Sequence, residues 1–322
     1  MVPCPDPVTD IGRGRLADSV GALVPTRARA RVHSVFARAC NLETDCGEMV
    51  TLLASGCGSN PRGIRYASRD DLLPLRLRPG QAAVLQDMAL RIPATDVVVN
   101  FSRAAVWKGT VAASSPAWHQ LRDLFELVRS HAPTQGFAPA LFASGNSRSP
   151  FQRAMIARIA QTLPKLARAT ETRDARTVVA ALRSLVGLGD GLTPAGDDFI
   201  VGYLAALSSR AYHERGLAAL LRALAVPVAQ LSRHTHAISR QMLLDALQGH
   251  FAERVTEVVR CLGGSEVAGA ASRLMAVGHT SGADMLCGLL FGFAPVLTAK
   301  LLVGGASGNV VGETAHAPVL AC

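Results

Sequence analysis

Two segments of the chain gather the residue types that do chemistry. Gly187-Leu-Gly-Asp-Gly-Leu-Thr-Pro-Ala-Gly-Asp-Asp-Phe199 and Gly278-His-Thr-Ser-Gly-Ala-Asp-Met285 are glycine-rich loops that run directly into apolar stretches. Gly196, Asp198, Gly202 and Leu204 of the first correspond to Gly282, Asp284, Gly288 and Leu290 of the second, every pair 86 residues apart. The repetition predicts two similar loop-helix units facing each other across a pseudo-twofold. Gly202 and Gly288, four residues after each aspartate, would let two helices approach closely.

A helix start carries backbone N–H groups without an intrahelical partner, and glycines that uncover them make a cradle for phosphate or carboxylate. The candidate substrate-binding residues are therefore Gly189, Asp190, Gly191, Thr193, Gly196, Ser281 and Gly282. Thr193 with Pro194 at the first helical position reads as an N-cap, and Ser281 with Asp284 as a capping box. Capping alone also explains Thr193 and Ser281. It does not explain three glycines ahead of an already capped helix, or two aspartates in succession.

The acids oppose an anion cradle, because Asp190, Asp197, Asp198 and Asp284 add negative charge. Two arrangements resolve the conflict. The carboxylates turn away and brace the loop through local hydrogen bonds, or they grip a Mg²⁺-like ion that in turn holds the anion. Metal ligands stay unassigned at this point. Asp197, Asp198, Asp284 and His279 are the candidate catalytic residues, with His279 as general acid or hydrogen-bond donor.

Other arrangements are weaker. His234-Thr-His236 has a spacing that cannot put both rings on one helix face, and no further ligand lies nearby in sequence. The chain shows no G-x-S-x-G elbow and no phosphate-binding P-loop. The glycines of GLGDGLTPAG follow the helical run VVAALRSLV rather than a strand, so a dinucleotide-binding reading fails on context. Cys57 and Cys287 stand among small or apolar residues and read as buried thiols rather than nucleophiles.

The elements that must position these loops follow from periodicity. GEMVTLLAS, QAAVLQDMALRI and TDVVVNFS are alternating or β-branched runs bounded by turn residues, all within the first 110 or so positions. From Pro116 the period becomes helical: Trp118, Leu121, Phe125 and Val128 share a face, and 151–168 and 174–186 continue the pattern. The fold class expected is α+β, with a small β-rich domain over 1–112 and a larger, mostly helical domain over 116–303 carrying the glycine and aspartate loops. Residues 304–322, small and without period, read as a loose tail.

Composition narrows the function classes. Of 322 residues 49% are hydrophobic, 18% charged and 5% aromatic, which suits closely packed helices and excludes general disorder. The 33 Lys and Arg against 24 Asp and Glu leave a charge of +9, nearly all of it arginine. No nucleic-acid motif accompanies the Arg27, Arg29, Arg31 cluster, so nucleic acid is not an expected partner. Some arginines are instead suited to an anionic small molecule or an acidic protein surface. Met285 to Ala299, interrupted by Pro295, is too short for a membrane span and reads as a buried helix. Seven cysteines without a C-x-x-C pair, and an N-terminus without a signal peptide, point to the cytoplasm.

GLGDGLTPAGDDFIVGYLAAL and GHTSGADMLCGLLFG, together with VHSVFARACNLE and GEMVTLLASGCGSNPRGI, resemble a largely uncharacterised family that includes the AllH subunit of oxamate carbamoyltransferase. The likeness spans about residues 30 to 300, and its G-L-T-P-x-G-D-D core is the specific part. What the resemblance implies is a cytoplasmic subunit working with others, one of them FdrA-like, in anaerobic allantoin degradation. The assembly would interconvert oxalurate plus phosphate with oxamate plus carbamoyl phosphate. The family pattern coincides with Gly189, Gly191, Thr193, Pro194, Gly196, Asp197 and Asp198, then Ser281, Gly282 and Asp284, whereas position 190 also takes proline.

Three readings compete at this stage. A carbamoyltransferase subunit would bind oxalurate, oxamate or carbamoyl phosphate at the two helix starts. A metal-dependent hydrolase would hold Mg²⁺ with Asp197, Asp198 and Asp284. A scaffold subunit would bind ligand without turnover.

Overall fold

The computed structural model describes residues 15–67, 70–114, 116, 118–142, 149–296 and 298. The stretch read as a loose tail, 304–322, lies outside the described residues, as do 143–148 of the polar loop before the long helix. The chain divides into two compact units, one formed by residues up to 112 with 236–260, the other by 113–235 with 261 onward.

The strands are β1 (Arg15–Gly21), β2 (Ala28–Val35), β3 (Ala39–Thr44), β4 (Met49–Leu53), β5 (Gly63–Tyr66), β6 (Ala82–Gln86), β7 (Ala89–Ile92), β8 (Val97–Asn100) and β9 (Ala105–Trp107). The helices are α1 (Trp118–His131), α2 (Ala138–Phe142), α3 (Pro150–Thr172), α4 (Ala175–Arg183), α5 (Ala195–Arg210), α6 (Arg215–Leu231), α7 (Ala237–Leu247), α8 (Glu253–Cys261), α9 (Val267–Met275) and α10 (Ser281–Phe293). The architecture is α+β, and its first part is more specific than a β-rich domain. The strands run β5-β4-β3-β2-β6-β7-β8-β1, and β1 pairs antiparallel with β5 to close a barrel. The parallel partners of β1 are β8 at its start and β9 toward its end.

Closure follows from where the apolar residues fall. Val32, Leu42, Leu52, Ile64, Leu85, Leu90 and Val99 are all buried and supply side chains from seven strands to one interior. The run QAAVLQDMALRI folds as the β6–β7 hairpin, turning at Asp87 and Met88 with φ of +53° and +55°. Two successive left-handed residues give the turn that matches strand twist. Cys40 is part of this interior, and burial pushes its thiol up to about 12. Within the same unit Arg62 donates from Nε to Asp245 of α7 at 3.0 Å and from a terminal nitrogen to Glu48 at 3.1 Å. Gln241, one turn before Asp245, donates to the same carboxylate at 2.9 Å.

In the second unit α5 and α10 form the core. Fourteen of the sixteen residues of α5 are buried, and residues 282–292 of α10 are buried without a break. The pair packs closely because glycines face backbone. A Cβ on Gly202 would stand 1.9 Å from the Met285 carbonyl oxygen, and one on Gly288 would stand 2.0 Å from that of Phe199. The contacts are reciprocal, since Met285 occupies the same place in α10 as Phe199 in α5. Gly288 lies against Phe199 and Tyr203, and Gly292 against Tyr203 and Ala206, so the helices run parallel with their starts together. Phe199 stacks on Phe137 at 4.1 Å between centroids and tilts against Phe291 at 5.5 Å. Tyr203, wholly buried, bonds Thr170 of α3 at 2.7 Å through its hydroxyl. Among the described residues no helix is long and apolar enough to cross a membrane.

Candidate functional site at two paired helix starts

The two glycine loops deliver α5 and α10 in the same way. Leu185, two residues past α4, points its carbonyl at Gly196, where a Cβ would sit 2.0 Å away, and Gly196 donates its N–H to the Leu188 carbonyl at 2.8 Å. Leu274, near the end of α9, points its carbonyl at Gly282, where a Cβ would sit 1.7 Å away, and Gly282 donates to Val277 at 3.0 Å. In both units the acceptor lies three residues beyond the carbonyl that packs on the glycine. Helix, loop and helix therefore recur as one structural unit, with three more residues between the packing carbonyl and the glycine in the first.

This arrangement changes what the helix starts can do. The cradle of free N–H groups expected from the sequence is largely used within the protein. Gly196 and Gly282 donate to loop carbonyls, Asp197 and Asp198 donate to Pro194, and Asp284 donates to Thr280. The expected caps also differ. Pro194 and Thr280 occupy the N-cap positions without side-chain cap bonds. Thr193 and Ser281 instead bond each other, Oγ1 to Oγ, at 2.8 Å. That hydroxyl pair joins the two helix starts.

The successive aspartates divide the work, because neighbours on a helix point about 100° apart. Asp197 braces the loop: its Oδ1 accepts the Gly187 N–H at 2.9 Å and its Oδ2 accepts from the Thr235 hydroxyl. Gly187 adopts φ +71° and Gly189 φ +123°, a left-handed course open to glycine, so the loop returns close over the start of α5. Asp198 faces the other way. It is fully buried, and among the described residues neither of its oxygens has a hydrogen-bond partner.

Asp284 holds the corresponding place in α10. It is also fully buried; its Oδ1 accepts the Phe137 N–H at 2.6 Å, and its Oδ2 has no partner among the described residues. Burial pushes the Asp284 carboxyl up to about 7, against the pull of the Phe137 N–H and the Thr280 hydroxyl. Asp198 is pushed well above the usual carboxylate range, by burial first and by the charge of Asp284 second. The neighbouring Ser281 and Thr193 hydroxyls offset part of that rise. Burial thus holds both carboxyls above the usual carboxylate range, and the charge of Asp284 adds to the rise at Asp198; a carboxyl that keeps its proton both donates and accepts.

The site thus brings together Thr193, Gly196, Asp197, Asp198, Ser281, Gly282 and Asp284. Gly189 covers the start of α5, while Asp190, Gly191 and His279 are exposed on the loops. Gly136 and Phe137 were not foreseen. A Cβ on Gly136 would stand 2.5 Å from Asp284 Oδ1, so only glycine leaves room for the carboxylate there. The local signal was a glycine ahead of an apolar helix, and nothing in its sequence surroundings pointed 147 residues onward to Asp284. Thr235, between His234 and His236, reaches Asp197 from 38 residues away, and its own sequence surroundings carry no signal of that contact. Cys287 is buried within α10 and its thiol is pushed well up by burial, whereas Cys57 is only half-buried. Among the described residues no group of three or more His, Cys, Asp or Glu side chains is placed to hold a metal ion.

Comparison with known proteins bears on the same two regions. A family model described as oxamate carbamoyltransferase subunit AllH matches residues 185–293, from the carbonyl that packs on Gly196 to the end of α10. A second, described as the AllH family N-terminal domain, matches residues 14–106 and so takes in the barrel strands. No solved structure matches the chain. With both loop-helix units and the barrel accounted for, the chain belongs to the AllH family, named for a subunit of oxamate carbamoyltransferase.

Proposed function

We propose that this chain is a subunit of an oxamate carbamoyltransferase-type enzyme and that the paired starts of α5 and α10 receive the carbamoyl end of its substrate. Oxalurate, oxamate and carbamoyl phosphate share one group, H₂N–C(=O)–, attached to an anionic remainder. That group needs acceptors for its N–H bonds and donors for its carbonyl oxygen. The observation that carries the reading is Asp198, wholly buried, with neither oxygen in a hydrogen bond of ordinary geometry among the described residues, beside the Thr193–Ser281 hydroxyl pair whose hydroxyls offset part of its rise. Asp198 would accept from the amide nitrogen, and a hydroxyl would donate to the carbonyl oxygen as negative charge gathers there.

Transfer from oxalurate to phosphate breaks the bond between the carbamoyl carbon and the oxamate nitrogen. It forms a bond from that carbon to a phosphate oxygen, and the departing nitrogen takes a proton. Asp284, with its carboxyl near pH 7, suits that proton transfer in both directions. The anionic remainder lies toward the exposed loop residues Gly191 and His279, where His279 can donate to it. Other subunits, including an FdrA-like one, would complete the active site. The assembly would act in allantoin degradation, in the cytoplasm.

The test is calorimetry of the full chain with oxamate, oxalurate, carbamoyl phosphate and inorganic phosphate, followed by turnover in the reconstituted assembly. We expect the three carbamoyl or amide compounds to bind, and Asp198→Asn and Ser281→Ala each to weaken them by about tenfold, the scale of leaving one buried hydrogen-bonding group without its partner. Equal affinity in those variants, with turnover unchanged, would overturn the assignment. Loss of turnover in His279→Asn with affinity retained would move the proton role from Asp284 to His279.

A further inference from the structure

A second polar site lies elsewhere in the helical unit. Helices α3 and α4 form an antiparallel hairpin, joined by Arg173, which takes the left-handed conformation at φ +60°, and Asp174, which caps α4. Between them is a cavity of about 520 Å³ lined by Arg158, Gln161, Thr162, Lys165 and Thr177 and by residues 180–184 apart from Leu182. The size falls within the range of small-molecule sites, roughly 300 to 1,000 Å³.

The lining follows from helical spacing. Arg158, Gln161, Thr162 and Lys165 recur at i, i+3, i+4 and i+7 along α3, and Thr177, Ala180, Ala181 and Ser184 repeat the same interval along α4. The core stripes are offset from these: Ile159, Leu163 and Leu166 on α3, and Val178, Leu182 and Leu185 on and after α4, are all buried. The lining residues therefore border an open groove between the two helices, with Arg158, Gln161, Lys165 and Arg183 exposed at its rim, while the apolar faces serve the core. Thr162 and Ala181, each 7% exposed, form its floor, and the small Ala180 and Ala181 keep it open.

Three cations line this space, and no carboxylate does. Arg158, Lys165 and Arg183 form no ion pair among the described residues, unlike Arg173 and Arg210, which pair with Glu214 at 2.5 and 3.0 Å. Asp174, at the turn between the two helices, is occupied with the Thr177 N–H and hydroxyl at 3.1 and 2.6 Å. Lys165 is also one of only three lysines in the chain. We propose that the α3–α4 cavity is a binding site for a small phosphorylated molecule, held by Arg158, Lys165 and Arg183 with Gln161 and Ser184 as neutral donors. Arginine and lysine supply charge-assisted hydrogen bonds to phosphate oxygens, and the cavity dimensions suit a small ligand rather than a nucleic-acid duplex. Ser184 ends α4 one residue before Leu185, whose carbonyl packs on Gly196, so an occupant would bear on the loop that leads into α5.

The probe is pyrophosphate, titrated calorimetrically into the full chain at low salt, with a short oligonucleotide as a second titrant. We expect one pyrophosphate per chain. The triple variant Arg158→Gln, Lys165→Gln, Arg183→Gln should weaken it by about tenfold or more, since three charge-assisted contacts are removed. A control with the same loss of charge on exposed positions outside the cavity, Arg168→Gln, Arg176→Gln, Arg222→Gln, should keep the affinity within about twofold, the effect left for screened distant charges. Ser281→Ala should leave it unchanged, which separates this site from the helix starts of α5 and α10. Wild-type chain that does not bind pyrophosphate, equal weakening in the control, loss in Ser281→Ala, or oligonucleotide binding at Arg158, Lys165 and Arg183 in preference to pyrophosphate would each overturn the proposal.

Discussion

Asp197 and Asp198 show at the scale of single residues how adjacent identical side chains acquire different roles. Asp197 has its oxygens committed to Gly187 and Thr235, and replacing it with alanine leaves the Gly187 N–H without that acceptor. Asp197→Ala should cost about 2 to 4 kcal/mol in urea denaturation, as loss of a buried charged acceptor does. Asp284 predicts a pH dependence. Its carboxyl is raised in the folded chain to about 7, so the native state binds more protons than the unfolded state between the ordinary aspartate value, about 4, and that pH. The stabilisation is complete below about pH 4 and is lost as pH rises through about 7, with up to roughly 4 kcal/mol at stake. Asp284→Asn keeps the shape without the charge. Thermal melts should show it gaining on the natural chain from pH 5 to pH 8, and a parallel pH response in both would show that Asp284 does not titrate in this range.

Helix pairing is the element-scale feature that positions the site. Gly202 and Gly288 let α5 and α10 meet backbone to backbone, which sets Asp198 and Asp284 at equivalent places on adjoining helix starts. The neighbour of each absent Cβ is a carbonyl, not the end of a flexible side chain, so the strain cannot be relieved by a rotamer change. Gly288→Ala should therefore destabilise by about 3 kcal/mol or more and weaken substrate binding with it. Gly216→Ala, at the start of α6 where a Cβ meets only the Arg173 side chain at 3.4 Å, should be neutral or stabilising by up to about 1 kcal/mol. Circular dichroism melts of the two variants decide the matter, and equal stability would mean that the close approach is not needed.

For the molecule as a whole, the chain order and the compact units do not coincide. Residues 236–260 follow most of the helices in sequence and yet belong with the barrel, where Arg62 holds Asp245 of α7. The Arg62 side chain is 11% exposed and that of Asp245 7%, so removing one partner leaves a nearly buried charge. Asp245→Ala should cost about 3 kcal/mol, with increased hydrogen exchange in β4 next to α7, because a nearly buried ion is left with the half-exposed Glu48 and the Leu23 carbonyl. Protection unchanged in β4 would mean that α7 is held by its apolar contacts.

Much of this was legible in one dimension. The period-two runs became β4, β6, β7 and β8, and the helical period after Pro116 became α1, α3 and α4, because which face of an element is apolar is written in its own residues. The 86-residue repeat located both loop-helix units and the glycines at their contact. What the sequence could not disclose depends on partners distant in the chain. Barrel closure rests on β1 meeting β5, and the Gly136–Phe137 turn reaches Asp284 from 147 residues away. Residue types alone likewise left open which aspartate braces the loop, and whether the helix-start N–H groups stay free. By itself the sequence determined the elements, the repeated motif and the family, since these follow from local spacing and composition. That the glycines serve close packing, that Thr193 bonds Ser281, and that Asp198 is fully buried beside that pair came from the folded arrangement, because desolvation and hydrogen bonding are properties of the surroundings and not of the residue.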